Sequence, residues 1–266
     1  MGKFDGILLV SDMDGTMLTG DKRISDENRQ AVARFTREGG WFCMATGRPP
    51  ATTSAFEPLL PCGAPKIYLN GALIRYDAQH VLRQFTFGSE IWPLIETVCA
   101  DFPTVGCELF AADEVFLYRS SPETTYHMQL VRRQFAPMTA FVPGTVLYDI
   151  ALTGKPEVLQ QIRTAYFGQT DRYSAVMSAP NLLEVTRAQA DKGTALCTVA
   201  EHLGVERART FAIGDGGNDL SMLKAAGYSF APENADAAAR AAAAQIVPDN
   251  EHSAVAYVIA QIEAMF

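Results

Sequence analysis

The sequence predicts an α/β protein whose parallel-sheet core has helices on both faces and is interrupted by an inserted α+β module. Three observations predict this class. Residues 7–10 (Ile-Leu-Leu-Val) are an aliphatic run typical of a strand buried on both faces. Strand and helix patterns alternate before residue 82 and after residue 191, which predicts parallel strands joined by crossovers. Between these segments the strands are separated by short turns, which indicates antiparallel pairing.

In the first segment, a helix is predicted between Ser25, a candidate N-cap, and the Gly39-Gly40 pair. Strands are predicted at 41–45, 67–69 and 73–76. Asn70 and Gly71 lie between the last two strands. They fit either a type I′ turn or a ligand contact.

The other two segments complete the domain prediction. The middle segment contains predicted strands at 106–110, 115–118, 147–152, 173–177 and 182–186, and helices near 89–101, 122–135 and 155–166. The last contains predicted helices at 192–203, from Asn218, at 235–243 and up to Met265, with strands at 210–213 and 228–230. We therefore expect a core domain formed by residues 1–81 and 187–266, with a separate domain at 82–186.

The composition excludes several classes of protein. The 266 residues are 48% hydrophobic and 20% charged, with a formal net charge of -8, which is typical of a globular protein that is not a general nucleic-acid binder. An anionic substrate would need a local cationic site. The five cysteines are widely separated, as in a reducing compartment. No apolar run approaches the ~18 residues of a membrane span. We expect a cytoplasmic protein with no membrane or nucleic-acid partner.

Two carboxylates follow the first strand, at the edge of an open α/β sheet where ligands bind. Asp12 and Asp14 are two residues apart, so in an extended segment both could face one reacting group. Gly15 permits a tight turn where the chain leaves the strand. A polar turn is the alternative interpretation. A calcium loop is excluded, because Met17 and Arg23 occupy the positions of its required Gly and Glu.

Three further motifs stand at strand ends or helix starts. Residues 214–219 (Gly-Asp-Gly-Gly-Asn-Asp) follow a predicted strand and are either oxygen ligands suited to Mg²⁺ or a plain glycine-rich loop. Thr46, Gly47 and Arg48 fit a phosphate cradle or an ordinary helix cap. Lys192 opposes a helix dipole, so it is either solvated or required by an anion.

In this order the motifs resemble the four motifs of the haloacid dehalogenase superfamily. They are Asp12-Met13-Asp14-Gly15-Thr16, Thr46-Gly47-Arg48, Lys192 and Gly214-Asp215-Gly216-Gly217-Asn218-Asp219. The long insert between the second and third motifs resembles the Cof-type phosphatases, which have a large α/β cap of the C2 type. The resemblance covers nearly the whole chain and implies a Rossmann-like core with that cap.

The resemblance also implies catalytic and metal-binding roles. Asp12 would be the nucleophile that forms an aspartyl-phosphate, and Asp14 the general acid and base. Mg²⁺ would be held by Asp12, the backbone carbonyl of Asp14 and Asp215, with Asp219 and Asn218 supporting the site. Because Asp14 supplies the acid that an alkoxide leaving group needs, phosphoester hydrolysis is favoured over dehalogenation.

The remaining implied residues bind the phosphate or substrate. They are Thr46, Gly47, Arg48, Asn70, Gly71, Lys192 and Asn218. The implied activity is Mg²⁺-dependent hydrolysis of small phosphorylated metabolites by a monomer or weak homo-oligomer. The alternatives are a phosphomutase of the same superfamily and a non-catalytic phosphate-ester-binding protein.

The inserted module has polar residues but no motif that identifies the leaving group. The candidates are Glu108, Tyr118, Arg119, His127, Arg132 and Arg133, and no role is assigned to any of them.

Overall fold

The computed structural model describes residues 2–130, 134–138, 140, 142 and 144–266. The strands in this part of the chain are β1 Leu8–Ser11, β2 Trp41–Met44, β3 Lys66–Tyr68, β4 Leu73–Arg75, β5 Val81–Gln84, β6 Gly106–Phe110, β7 Val115–Arg119, β8 Ala136–Pro137, β9 Asp149–Thr153, β10 Tyr173–Ala179, β11 Leu182–Arg187, β12 Thr210–Ile213, β13 Tyr228–Pro232 and β14 Gln245–Val247. The helices are α1 Asp26–Arg37, α2 Pro50–Thr53, α3 Ile91–Asp101, α4 Pro122–Leu130, α5 Pro156–Ile162, α6 Lys192–Leu203, α7 Leu220–Ala225, α8 Ala237–Ala242 and α9 Ala254–Met265.

These elements form two compact units. The first unit contains Met1–Gly47, Ser54–Arg83 and Asp191–Phe266, and the second contains Arg48–Thr53 and Gln84–Ala190. The predicted domain boundaries, with a separate domain at 82–186, stay a prediction.

The first unit is built on a parallel sheet with the strand order β14-β13-β12-β1-β2. Val10 of β1 is level with Ala212 of β12 on one side and with Cys43 of β2 on the other. The chain proceeds from β1 to β2, whereas β12 and the strands after it lie on the other side of β1. Strand order therefore reverses between β1 and β12, and at such a point the loops at the carboxyl ends leave a crevice for a ligand.

Helices cover the two faces of this sheet. Val10 and Ala212 share one apolar core with Leu196 of α6 and Met222 of α7. Neighbouring residues of a strand face opposite sides of the sheet. Helices α1 and α9 pack against each other, apart from the core that contains α6 and α7. The ring of Phe211 lies 6.3 Å from that of Phe266, which follows α9. Buried on both faces, β1 can be uniformly apolar until its last residue.

Helix α6 begins at a strong cap. The side chain of Asp191 accepts hydrogen bonds from the backbone N–H groups of Gly193 and Thr194, at 2.8 and 2.9 Å. These bonds satisfy donors that a helix start leaves unpaired. Farther along α6, Thr198 accepts a hydrogen bond from the Arg83 guanidinium at 3.0 Å. The cap fixes Lys192 as the first residue of the helix.

The second unit contains a six-stranded sheet with the order β10-β11-β9-β6-β7-β8, antiparallel except where β7 meets β8. On one face, Leu109, Ile150 and Leu183 share an apolar core with Ile95 of α3 and Leu159 of α5. The alternate residues lie on the opposite face.

The predicted α/β class is confirmed, and most predicted elements are present with small shifts at their ends. Of the helix predicted at 122–135, Pro122–Leu130 form α4, and Gln134 and Phe135 are not helical. Residues 131–133, including Arg132 and Arg133, lie outside the described residues. The helix predicted at 235–243 is shorter, because Asp236 caps α8 by accepting from the N–H of Ala239 at 2.6 Å. The two-to-four-residue strands β5, β8 and β14 have no counterpart in the prediction, whereas α2 lies where a helix is expected after Arg48. Within the described ranges, no helix has the length and apolar character needed to cross a bilayer.

We predict that Asp191→Ala lowers the free energy of unfolding by about 1 kcal/mol, because α6 loses its cap. Urea denaturation followed by circular dichroism measures this change. The control is Glu206→Ala, because Glu206 precedes a short 3₁₀ turn without capping it. Equal midpoints for the two variants would contradict the prediction.

Candidate active site

Three carboxylates meet at the carboxyl ends of β1 and β12. Oxygens of Asp12, Asp215 and Asp219 all lie within 4.8 Å of one another. The sheet register explains this proximity: Ser11 is level with Ile213, and the N–H of Asp12 donates to the Ile213 carbonyl at 3.0 Å. Asp12 and Asp215 therefore leave two hydrogen-bonded strands side by side.

A buried ammonium group holds this cluster. Lys192 Nζ donates to Asp12 Oδ1 at 2.6 Å and to Asp219 Oδ1 at 2.7 Å, and the lysine side chain is 0% exposed. Burial alone would lower the pKa of Lys192, but the charges and hydrogen bonds of Asp12 and Asp219 outweigh it and raise the pKa well above its usual range. Lys192 is therefore a fixed positive charge.

Asp219 has contacts on both of its oxygens. Oδ1 accepts from Lys192, and Oδ2 accepts from the backbone N–H groups of Asp215 and Gly216, at 2.9 and 3.0 Å. A Cβ on Gly214 would lie 2.5 Å from the Asp219 carboxyl carbon, so glycine is required where the carboxylate closes this turn. Asp219 thus orients both Lys192 and the loop that carries Asp215.

The loop after β1 packs directly on Asp215. Thr16 Oγ1 donates to Asp215 Oδ1 at 2.9 Å. Gly15 has a φ of +78°, and a Cβ there would lie 2.3 Å from Asp215 Oδ2. Gly15 is therefore needed for its left-handed backbone and for the close approach of Asp215.

The cluster carries more negative than positive charge. Burial and the charge of Asp219 raise the pKa of Asp215 to about 6. The same two causes raise the pKa of Asp12 well above its usual range, despite the contact with Lys192. A divalent cation among these oxygens would favour the ionised carboxylates, and oxygen donors suit Mg²⁺. The donor set fits such an ion, and Asp12 and Asp215 are better placed to hold it than Asp219, whose oxygens are engaged.

The side chain of Asp14 lies outside the three-carboxylate group. It is 37% exposed, and its Oδ1 accepts from Lys22 Nζ at 2.7 Å. Lys22 has a φ of +62° within the turn that follows Thr19.

Hydrogen bonds link the neighbouring strand ends to Asn218, which lies in the loop that carries Asp215 and Asp219. Asn218 donates its side-chain N–H to Asn70 Oδ1 at 2.9 Å, and the N–H of Asn70 donates to the Thr46 carbonyl at 3.1 Å. Thr46 is 1% exposed at the end of β2. One chain of contacts thus joins three of the predicted binding residues.

The Asn70–Gly71 segment has the backbone angles of the predicted type I′ turn but not its two-residue spacing. Asn70 and Gly71 have φ values of +53° and +98°, as a type I′ turn requires, but four residues separate the paired Tyr68 and Leu73. A Cβ on Gly71 would lie 2.5 Å from the carbonyl oxygen of Asp191. This turn therefore packs against the residue that caps α6.

Most of the predicted site residues belong to the first unit, but Arg48 does not. Gly47 ends a segment of the first unit, whereas Arg48 groups with the second. Described contacts connect these residues in two groups: Asp12, Asp215, Asp219 and Lys192 form one, and Thr46, Asn70 and Asn218 form the other.

The family model for haloacid dehalogenase-like hydrolases matches residues 9–259 of the chain. The protein belongs to this family. The predicted superfamily and its Cof-type subfamily are confirmed, and so is the predicted enzyme class, a phosphatase.

Relatives of this haloacid dehalogenase-like hydrolase match it along almost its entire length. The Bacillus subtilis protein named "Putative phosphatase YxeH" is 28% identical over 267 residues, which are 96% of this chain and 97% of the relative. The 5-amino-6-(5-phospho-D-ribitylamino)uracil phosphatase YcsE of the same organism is 27% identical over 265 residues, 95% of this chain and 94% of the relative. A structure of a haloalkanoate-superfamily phosphatase from Bacteroides thetaiotaomicron has a TM-score of 0.85 at 23% identity, with 97% of this chain and 96% of that chain covered. This last likeness establishes the fold.

Two contacts of this hydrolase were not predicted from its sequence. The pairing of Lys22 with Asp14 depends on the turn after Thr19, and no sequence pattern marks it. The hydrogen bond from Thr16 to Asp215 joins residues 199 positions apart. Thr16 belongs to the first motif, but the motif does not indicate this partner.

We predict that Lys192→Met lowers the free energy of unfolding by about 3–5 kcal/mol, because it leaves the buried carboxylates without their cation. Thermal and urea unfolding at neutral pH measure the change. Lys224→Met, at an exposed position in α7, is the matched control and should lie within about 0.5 kcal/mol of wild type. Wild-type stability of Lys192→Met would show that the ammonium does not stabilise the cluster.

Proposed function

We propose that this enzyme is a Mg²⁺-dependent phosphatase that hydrolyses phosphate monoesters of small metabolites with Asp12 as its nucleophile. The observation that carries the proposal is the position of the Asp12 carboxylate, which lies at the end of β1 beside Asp215 and in contact with Lys192. A carboxylate oriented in this way can form a covalent intermediate with the transferred group.

The first chemical step is attack of an Asp12 oxygen on phosphorus. The P–O bond to the leaving alcohol breaks, and the phosphoryl group becomes an acyl phosphate on Asp12. The Lys192 ammonium has three N–H donors, and two of them serve Asp12 and Asp219. The third is assigned to a phosphoryl oxygen, where its charge opposes the negative charge of the transferring group.

Asp14 transfers the protons in both steps. As an acid it protonates the leaving alkoxide, and as a base it then removes a proton from the water that hydrolyses the acyl phosphate. Its exposure of 37% supports access to water, and the Lys22 contact supports one orientation of the carboxylate.

Asp12 and Asp215 would hold Mg²⁺, together with the backbone carbonyl of Asp14. When bound, the ion reduces the repulsion between the carboxylate nucleophile and the phosphate dianion. Asp219 keeps Lys192 and the Asp215 loop in place. Thr46, Gly47, Asn70, Gly71 and Asn218 are assigned to binding of the phosphate group, with Arg48 as a further substrate contact.

The names of relatives bear on the substrate class. One matched relative is named as a phosphatase of a phosphorylated ribitylaminouracil, and one matched structure is titled a sugar phosphatase. From these names we carry over to this enzyme only the general class of substrate, a small phosphorylated metabolite. The proposal includes action in the cytoplasm as a monomer or weak homo-oligomer, with residues 82–186 as a cap domain.

We predict that Asp12→Asn lowers kcat for p-nitrophenyl phosphate by at least about 10³-fold, because the amide is a poor nucleophile. Release of p-nitrophenolate and of inorganic phosphate is measured, with circular dichroism to verify folding. The exposed Asp171→Asn is the control. Turnover by Asp12→Asn at the wild-type rate would refute the nucleophile assignment. With a sugar phosphate as the substrate of the wild-type enzyme, formation of an isomeric sugar phosphate without release of inorganic phosphate would indicate a mutase.

We predict that chelation with EDTA abolishes turnover and that added MgCl₂ restores it. Asp215→Asn should raise the Mg²⁺ concentration for half-maximal rate by about 10–100-fold, because one carboxylate ligand is lost. Rates measured across a MgCl₂ titration test this expectation. Full activity of metal-free enzyme, or an unchanged Mg²⁺ requirement in Asp215→Asn, would contradict it.

A further inference from the structure

The second unit contains two neighbouring thiols that the proposed chemistry does not use. Cys99 lies in the last turn of α3, and Cys107 lies in β6, in the apolar core that α3 shares with the sheet. The two residues are 1% and 0% exposed, and their thiols form a hydrogen bond with each other. Both are free thiols. The turn between helix and strand thus brings together two sulfur atoms of one chain segment.

An irregularity in the sheet directs two side chains of β7 toward this pair. Tyr118 and Arg119 both lie opposite Cys107, because the register between β6 and β7 shifts by one residue at this point. Such a β-bulge changes the direction of side chains and is common next to functional sites. The Tyr118 ring reaches α3, where its centroid lies 5.3 Å from that of Trp92. The bulge therefore turns Tyr118 toward the helix that carries Cys99.

Arg119 brings a positive charge to the same place. Its guanidinium donates a hydrogen bond to the backbone carbonyl of Cys99. This carbonyl belongs to the last turn of α3, where carbonyls have no partner within the helix. The end of a helix disfavours an anion, and the guanidinium offsets that effect at Cys99.

The two thiols differ in acidity. The hydrogen bond from Cys107 and the charge of Arg119 lower the pKa of Cys99, although burial acts in the opposite direction. The same hydrogen bond and burial raise the pKa of Cys107 well above its usual range. Elsewhere in the chain, burial raises the pKa of Cys62 to about 11 and that of Cys43 well above its usual range. Cys99 is therefore suited to be a thiolate nucleophile, with Cys107 as the S–H donor beside it.

We propose that Cys99 and Cys107 are a modification site, at which hydrogen peroxide converts the two thiols to a reversible disulfide. The Cys99 thiolate attacks one peroxide oxygen, the O–O bond breaks, and a sulfenic acid and hydroxide form. The proton that Cys99 released on ionisation converts the hydroxide to water. The Cys107 sulfur then attacks the Cys99 sulfur, so that the S–S bond forms, the S–O bond breaks and the hydroxyl leaves with the Cys107 proton as a second water. The two thiols lose two electrons, and the peroxide gains them.

The burial of the pair selects the oxidant. Tyr118 and Arg119 are half-buried, so side chains that reach the solvent border the two sulfur atoms. Rotamer changes of such side chains take picoseconds to nanoseconds and admit a molecule as small as hydrogen peroxide. A bulky disulfide such as oxidised glutathione does not reach the Cys99 sulfur. The site lies within the second unit, and its chemistry is independent of phosphate hydrolysis.

Peptide mapping tests the proposal on the reduced wild-type protein. The protein is treated with hydrogen peroxide, blocked with N-ethylmaleimide and digested with trypsin. Both cysteines then lie in one peptide, Gln84–Arg119, which has no internal Lys or Arg. We expect this peptide to be unlabelled and lighter by two hydrogen atoms, and dithiothreitol to restore two thiols that react with N-ethylmaleimide. Oxidised glutathione should leave both thiols free.

Variants separate the roles of the two cysteines. Cys107→Ala should leave a sulfenic acid on Cys99 that dimedone labels, because the thiol that resolves it is missing. Cys99→Ala should form neither the disulfide nor a dimedone adduct on this peptide. Cys197→Ala, at an exposed position in α6, is the control and should form the disulfide as wild type does.

Arg119→Gln tests the contribution of the guanidinium. We expect it to slow disulfide formation by about threefold or more, because less of Cys99 is ionised. Arg163→Gln changes an exposed arginine of the same unit and should react at the wild-type rate. Equal rates for the two variants would overturn the assigned role of Arg119.

A pair of ordinary core thiols predicts the opposite kinetics. Burial would then protect the sulfur atoms, and the disulfide would form more slowly in native protein than in protein unfolded in urea. The proposal predicts formation about threefold or more faster in native protein, because Arg119 and the Cys107 donor act only there. An equal or slower native rate overturns it, and so does oxidation of Cys197 alone. This comparison uses wild type, so it decides the question even if a cysteine variant does not fold.

Discussion

The site depends above all on one buried ammonium group. Lys192 joins Asp12, at the end of β1, to Asp219, at the turn after β12. Burying a lysine without partners is strongly unfavourable, and so is placing three carboxylates within 4.8 Å. Each arrangement is tolerable because the other is present. The excess of negative charge that remains is the property that a divalent cation requires of its ligands.

The rest of the first unit supports this interaction. The β1–β12 register places Asp12 beside the turn that carries Asp215, and the Asp191 cap fixes the start of α6, where Lys192 stands. Glycines are needed at Gly15 and Gly214 because carboxyl groups occupy the space of a Cβ. The chemistry therefore constrains positions that have no reactive group.

How much of this site could be predicted depends on how far along the chain each sequence pattern carries information. Local patterns identified β1, β12 and α6, and the order of the motifs identified Asp12, Lys192 and Asp215 as partners. Contacts that depend on the geometry of a turn, such as that of Lys22 with Asp14, produce no periodic pattern in the sequence. Glu108 was only one of several polar candidates, because its burial arises from strand pairing that no local pattern encodes.

The contact of Arg83 with α6 bears on how such a chain can change by recombination. The longer segment of the second unit leaves the first unit after Arg83 and returns to it at Asp191. Arg83 donates a hydrogen bond to α6 and Asp191 caps that helix. Asp191 and Thr198 are separated by about 10 Å of helix axis, a gap that a linker of a few residues can span. Residues 84–190 are therefore exchangeable without rerouting the parallel sheet. A gene fusion at these two points can replace residues 84–190 while every contact among Lys192, Asp12 and Asp219 is kept.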